Sequence, residues 1–422
     1  MKKILSENWI ETLFRDIGMF SGGGTPSTMN PTYWNGSIQW TTSKRLGDSL
    51  YLDSGERTIS DNALKESSTT LIPKGNLLVG TRVGTGKIVV NRIDIAISQD
   101  LTGVIVDKSK YFPEFIAYQT REQRLQECFR KQKRGVTIQG ISRDDLKDFV
   151  LYVPPLDEQQ KIAAVLFKIQ QAIEIQESII ENTRELKKST LHHVFTHGLR
   201  GEKSKETEIG PIPERWEVLE LGSVLRLAQY GLSVRGLSNG QYPILRMNCQ
   251  IDGQVHLNDL QYVNLGNDIF EKFKVDDGDI LFNRTNSWEL VGRTAIYHSK
   301  EAAVFASYLI RLKLKEEKII PDYLNCFFNM DATQRRLKSL ASRGVSQSNI
   351  SASKLKTFQV PVPAMDEQLE IASILRTMDQ KIDIHIAKKS ALQDLFKTML
   401  NKLMTGEIRV NDLDIDVSEV ST

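Results

Sequence analysis

The chain has 422 residues, of which 40% are hydrophobic and 26% charged, and its formal net charge is +2. That length allows two or more domains that each bury a core. The near-neutral total does not mark a nucleic-acid binder, so only local clusters of cations could do so. Cys128, Cys249 and Cys326 lie too far apart in sequence for a disulfide framework or a zinc site, and they suit a reducing cytoplasm. Met1 to Asn8 has no apolar run behind its lysines, so no signal peptide is expected, and no segment approaches the ~20 apolar residues of a membrane span.

In chain order, Trp9, Phe14 and Ile17 open a mixed region that runs to about Pro155. Gly22-Gly23-Gly24-Thr25-Pro26-Ser27 reads as a turn cluster, and Leu77-Leu78-Val79 and Ile88-Val89-Val90 read as strands around the glycine-rich turn Gly80 to Lys87. Pro113 to Arg134 has helical spacing. From Asp157, apolar residues recur at heptad spacing through Ile162, Leu166, Ile173, Ile180, Leu186 and Val194. Asp157 is expected to cap this helix, with Gln160 completing a capping box, and Gly198 to close it. A charged linker with Pro211-Ile212-Pro213 follows. Trp216, Leu221 and Val224 then open a second region like the first. It leads to a second stripe from Asp366 through Ile371, Leu375, Ile382, Leu395 and Leu403, closed by Gly406.

The two halves share a repeat. Arg134 to Arg200 aligns without a gap to Arg343 to Arg409, with 24 of those 67 pairs identical. A period of 209 means two domain-sized copies rather than a solenoid. The expected class is α+β: two tandem α+β domains, each followed by a long helix, the helices pairing as an antiparallel coiled coil with pseudo-twofold symmetry. The expected boundaries are 1–155, a helix over 156–200, a linker over 201–213, 214–364, a helix over 365–410, and a tail over 411–422.

Catalytic readings fare poorly. Asn30-Pro31-Thr32-Tyr33 is one residue away from the Asn-Pro-Pro-Tyr loop of adenine methyltransferases, but Thr32 breaks it and no glycine-rich cofactor loop accompanies it. Gly80 to Lys87 fails as a phosphate loop, because Thr81 replaces the first glycine and Ile88 the final hydroxyl residue. His193 and His197 have metal-like spacing but no further ligand, so no metal site is expected.

Cations do cluster. Arg121, Arg124, Arg130, Lys131, Lys133 and Arg134 lead into the first copy of the repeat; Arg335, Arg336, Lys338 and Arg343 lead into the second. Equivalent placement favours phosphate contact. Side chains suited to base edges gather in loops. In the first half these are Thr42, Lys44, Arg82, Lys87 and Gln99. In the second they are Tyr230, Arg235, Arg246, Asn248, Asn283, Arg284, Asn286 and Arg293, with Arg284 near the place of Arg82.

Three features together resemble the DNA-specificity subunit of type I restriction-modification systems: the Pro154 to Ala163 helix opening with its echo at Pro363 to Ala372, the Gly23-Gly24-Thr25-Pro26-Ser27 cluster leading to Tyr33-Trp34-Asn35-Gly36, and the order domain, helix, domain, helix. The resemblance implies that each domain reads one half of a split site in double-stranded DNA. It implies that the helices dock two modification subunits, which carry adenine methylation and S-adenosylmethionine, and that a restriction subunit joins for cleavage. This chain would then supply no catalytic residue, bind no cofactor and work in the cytoplasm. Gln229-Tyr230-Gly231-Leu232-Ser233 replaces the first-half glycine cluster, so the two half-sites should differ. A methyltransferase and a coiled-coil scaffold without sequence preference are the competing readings.

Overall fold

The computed structural model describes residues 8–82, 86–132, 140–344 and 347–420, with backbone only at Gln132 and Arg343. The chain divides into two compact units, Met1–Glu177 with Ala387–Thr422, and Ser178–Ile386.

In the first unit the main sheet contains β1 (Gly18–Gly22), β2 (Leu77–Gly80), β3 (Ile88–Asn91) and β4 (Leu101–Val106), hydrogen-bonded in the order β1-β4-β2-β3 with Tyr51–Leu52 beyond β3. The second unit repeats this with β5 (Leu225–Tyr230), β6 (Ile280–Asn283), β7 (Thr294–Ile296) and β8 (Leu309–Leu314), in the order β5-β8-β6-β7. The central strands are continuous apolar runs because both faces are covered, and β2, β3 and β6 are buried at every residue. The expected strands are therefore present; residues 83–85 of the glycine-rich segment between them lie outside the described ones. A short antiparallel pair closes each domain: Ile10–Leu13 on Val150–Val153, and Glu217–Glu220 on Gln359–Val362.

Two long helices follow, α1 (Leu156–His197) and α2 (Met365–Met404), each ~60 Å long at 1.5 Å per residue. Gly198 and Gly406 end them with φ of +66° and +69°. In the first unit Glu158 pairs with Arg409 beyond the end of α2, and Glu177 with Lys389, so the partners run antiparallel. In the second, Lys187 pairs with Asp379. Ile162, Leu166, Ile173, Ile371, Leu375 and Ile382 are all buried, but the expected stripe is drawn too wide, since Leu186 and Leu395 are exposed.

The first turns of each helix belong to a domain core. Ile162 and Leu166 pack with Phe14, Ile17, Leu77 and Val90, and this core also takes Leu400, Leu403 and Val410. Ile371 and Leu375 pack with Trp216, Leu221, Ile280 and Tyr323, together with Leu191 and Phe195.

The Asp-Glu-Gln motif does not cap the helices as expected. Helix α1 starts one residue before Asp157 and α2 one before Asp366, so these aspartates sit in the first turn as acidic residues favoured by the helix dipole. The glutamine carries the specific contacts. Gln159 Oε1 accepts from Phe112 N at 2.8 Å, and Nε2 donates to the Lys110 and Pro154 carbonyls, both at 2.9 Å. Gln368 repeats this with Ile320 N at 2.8 Å and the Lys318 and Pro363 carbonyls at 3.1 and 2.9 Å. Both glutamines are buried, so their partners would be left unpaired without them. Replacing Gln368 by Ala should destabilise the chain by roughly 2–4 kcal/mol in urea unfolding, and a loss under ~0.5 kcal/mol would refute its structural role.

A further polar node joins α2 to the second domain. His298 Nδ1 meets Asp277 at 3.0 Å, its Nε2 meets Asp322 at 3.1 Å, and Arg376 of α2 reaches Asp322 at 2.8 Å. The hydrogen bond to Asp322 raises the His298 pKa above 6.5. Its stabilising contribution is therefore complete below the unfolded value near 6.5 and is lost as pH rises through the higher folded value. The melting-temperature gap between wild type and His298→Gln should be largest below pH ~6.5 and shrink above it; a gap that grows with pH would reverse this assignment.

Candidate nucleic-acid interface

In the second unit the polar candidates gather where β5 and β6 end. The Arg284 guanidinium lies 4.7 Å from the Tyr230 ring centroid. Its Nη1 donates to the Ser307 carbonyl at 3.4 Å and its Nη2 to Asn349 Oδ1 at 3.3 Å, while Asn349 Nδ2 donates to Thr285 at 2.9 Å. The Tyr230 hydroxyl accepts from Ala352 N at 2.9 Å. These acceptors of Arg284 are neutral oxygens, so among the described residues no carboxylate cancels its charge. A cation held in this way remains available to a base edge or a phosphate.

Around this corner, Asn286 Nδ2 lies 3.0 Å from Met247 Sδ, Arg246 donates to the Asp259 carbonyl at 3.2 Å, and Asn248 donates to the Asp259 carboxylate at 3.3 Å. Arg235 and Arg293 are exposed. Asn283 departs from expectation. It is 1% exposed and, among the described residues, neither atom of its amide has a partner, so it is a core residue of β6 rather than a surface reader. The backbone of Arg343 lies in a short strand, Ser342–Arg343, paired to Ser348–Asn349.

In the first unit Thr25 hydrogen-bonds Gln99, and Thr42 donates to Glu56 at 2.7 Å. Lys44 and Lys131 are exposed, and Lys87 pairs with Asp48 at 3.1 Å. Burial alone would push the Asp100 carboxyl up, but hydrogen bonds from Ser43 and Ser98 outweigh it and hold the carboxyl below the ordinary range. Arg82, Lys87, Arg121 and Lys389 line a cleft of about 880 Å³.

The cationic cluster before the repeat is partly structural. Arg121 donates to the Asp48 and Ser49 carbonyls at 2.9 and 2.7 Å, and Arg124 to the Val150 carbonyl at 3.1 Å. Lys133 and Arg134 lie outside the described residues.

Strand register corrects one equivalence. Leu101 faces Gly80, and Leu309 faces Asn283. The next residues, Thr81 and Arg284, donate to the Asp100 and Tyr308 carbonyls and accept from Ile141 and Ile350. Arg284 therefore stands in the place of Thr81, not Arg82. The same register aligns Gly22, opposite Thr102, with Tyr230, opposite Ile310.

The Asn30 loop closes on itself. Asn30 Oδ1 accepts from Thr32 N and Thr32 Oγ1 at 3.2 and 2.7 Å, and the Tyr33 hydroxyl donates to Glu66 at 2.6 Å. Groups committed to a local turn make a poor clamp for a flipped base.

The type I restriction modification DNA specificity domain model matches the chain twice, over residues 6–183 and 213–394. The chain belongs to this family. The MjaIX specificity subunit of Methanocaldococcus jannaschii is 24% identical over 428 residues, covering 97% of this chain and 95% of that one. The putative MjaX specificity subunit of the same organism is 35% identical over 207 residues, covering 48% of this chain and about half (49%) of that relative. The EcoKI specificity subunit of Escherichia coli is 24% identical over 318 residues, covering 72% and 68%. The S subunit from M. genitalium has a similar fold, with a TM-score of 0.62 at 18% identity over 95% of this chain and 97% of that one.

For a specificity-family chain, the corner residues that sequence reading missed are Asn349, Thr285 and Ser307. Asn349 carried a faint signal, because it falls inside the repeat at a place where the first copy has Gly140. Since Asn283 is buried without partners among the described residues, Asn283→Leu should leave stability unchanged or raise it by about 1 kcal/mol. A loss above ~2 kcal/mol in thermal unfolding would show that its amide is satisfied in solution.

Proposed function

We propose that this chain is a non-catalytic, sequence-specific DNA-binding subunit, each α+β domain reading one half of a bipartite, asymmetric duplex site. The paired helices set the half-site separation and dock two modification subunits. S-adenosylmethionine binds those subunits, and a restriction subunit joins for cleavage in the cytoplasm. Helices of ~60 Å suit half-sites one to two turns of B-DNA apart, at ~34 Å per turn.

The observation that carries this reading is a duplicated scaffold with an unlike surface. Both units share strand order, register and the glutamine anchor, yet Gly22 and Thr81 occupy the places of Tyr230 and Arg284. A scaffold without sequence preference gives no reason for such divergence at one cationic corner. Among the described residues no helix is long and apolar enough to cross a membrane, and no group of three His, Cys, Asp or Glu is placed to hold a metal.

Sequencing of methylated positions in DNA from cells carrying the chain and its modification subunits should return two unlike half-sites separated by a fixed spacer. One continuous motif, or clear S-adenosylmethionine binding by the isolated chain, would overturn the reading. Arg284→Ala should weaken discrimination in one half-site only, by about 1–3 kcal/mol per base pair read. Equal loss at both would mean that Arg284 acts through folding or general charge.

A further inference from the structure

The first unit lacks an arginine at the Arg284 position, but a guanidinium reaches the same corner from another element. Arg143 begins a short helix, Arg143–Lys147, whose counterpart in the second unit is Ala352–Lys356. Serine caps both, Ser142 accepting from Asp145 N at 3.0 Å and Ser351 from Lys354 N at 3.2 Å. The local scaffold is therefore common, and Arg143 stands in the place of Ala352.

The Arg143 guanidinium lies directly against Gly22 at the end of β1. A Cβ on Gly22 would come within 2.5 Å of its Nη2 and 2.8 Å of its Cζ. Tyr230, the counterpart of Gly22, instead projects a ring on which Arg284 rests. Four positions thus differ together. Glycine replaces the aromatic platform, Thr81 replaces the cation, Gly140 replaces its acceptor Asn349, and Arg143 replaces Ala352. A side chain at position 22 would require the Arg143 guanidinium to shift from its place. Arg143 is exposed, and among the described residues it has no carboxylate or carbonyl partner.

We propose that Arg143 is a specificity-determining residue of the first domain, presenting to a base edge of duplex DNA the guanidinium that Arg284 presents in the second. This inference rests on the DNA-reading function proposed above. Guanine is the matching base, because its O6 and N7 accept a bidentate guanidinium.

The test compares methylated-site sequences from cells carrying the full complex with wild-type chain, Arg143→Ala, Arg143→Lys, Gly22→Ala or Arg284→Ala. Arg143→Ala should relax one or two positions about tenfold or more in the half-site that Arg284→Ala leaves intact. Arg143→Lys should relax the same positions, because an ammonium cannot reproduce the bidentate fork. Gly22→Ala should do likewise by crowding the guanidinium aside. Melting of Arg143→Ala should match wild type. An unchanged half-site in all three variants, relaxation in the Arg284 half-site, or weaker modification with unaltered base preference would each overturn the proposal. A wild-type complex with no bipartite site would instead overturn the functional reading itself.

Discussion

The buried glutamine at the start of each long helix is the constraint on which the rest depends. A helix of about 40 residues amplifies any error in its starting direction, because a small tilt at one end becomes a displacement of several ångströms at the other. Apolar packing alone is non-directional and tolerates such tilts. Gln159 and Gln368 add direction: each amide accepts one backbone N–H and donates to two carbonyls, tying the helix start to the segment that precedes a domain helix. With both amide ends satisfied in a buried setting, the helix leaves its domain at one angle. On the function proposed above, a fixed half-site separation would require that angle to be the same in every molecule.

The second helix-start contact shows how the copies drifted without losing this geometry. Glu158 is buried and takes both of its hydrogen bonds from Arg409, at 2.6 and 2.8 Å. Its counterpart Glu367 accepts from Trp216 Nε1 at 3.1 Å instead. Trp9, the matching tryptophan, keeps its buried place with its Nε1 lacking a partner among the described residues. The carboxylate finds a donor in both copies, a guanidinium in the first and an indole N–H in the second, so the identity of the partner is free.

What was legible in the sequence follows from this division. Packing leaves periodic traces, so the duplicated helices, their buried faces and the alternation of domain and helix could be read directly. Polar contacts leave none. Asp157 looked like a cap because capping residues precede apolar stripes, yet the helix begins before it and Gln159 holds the contact. Arg121 and Arg124 looked like phosphate contacts, but their guanidinium groups are committed to carbonyls of their own domain. Arg82 looked like the partner of Arg284 because both follow a strand. Only the register puts Thr81 there, and in a strand a shift of one residue exchanges faces. Asn283 lies one residue before Arg284 and is buried for that same reason.

The cationic corner of each domain can change because it bears little of the fold. Tyr230 and Arg284 reach it from strand ends, Arg143 from the exposed first turn of a serine-capped helix, and the cores beneath are built from other side chains. A cation there need not be balanced by a buried carboxylate, since neutral oxygens and an aromatic face are enough to orient it while solvent carries the charge. Residues at the corner can therefore be exchanged between strand end and helix without disturbing the glutamine anchor or the apolar first turns. On the function proposed above, a surface free to vary, mounted on a helix whose direction is fixed, would separate which bases are read from how far apart they lie.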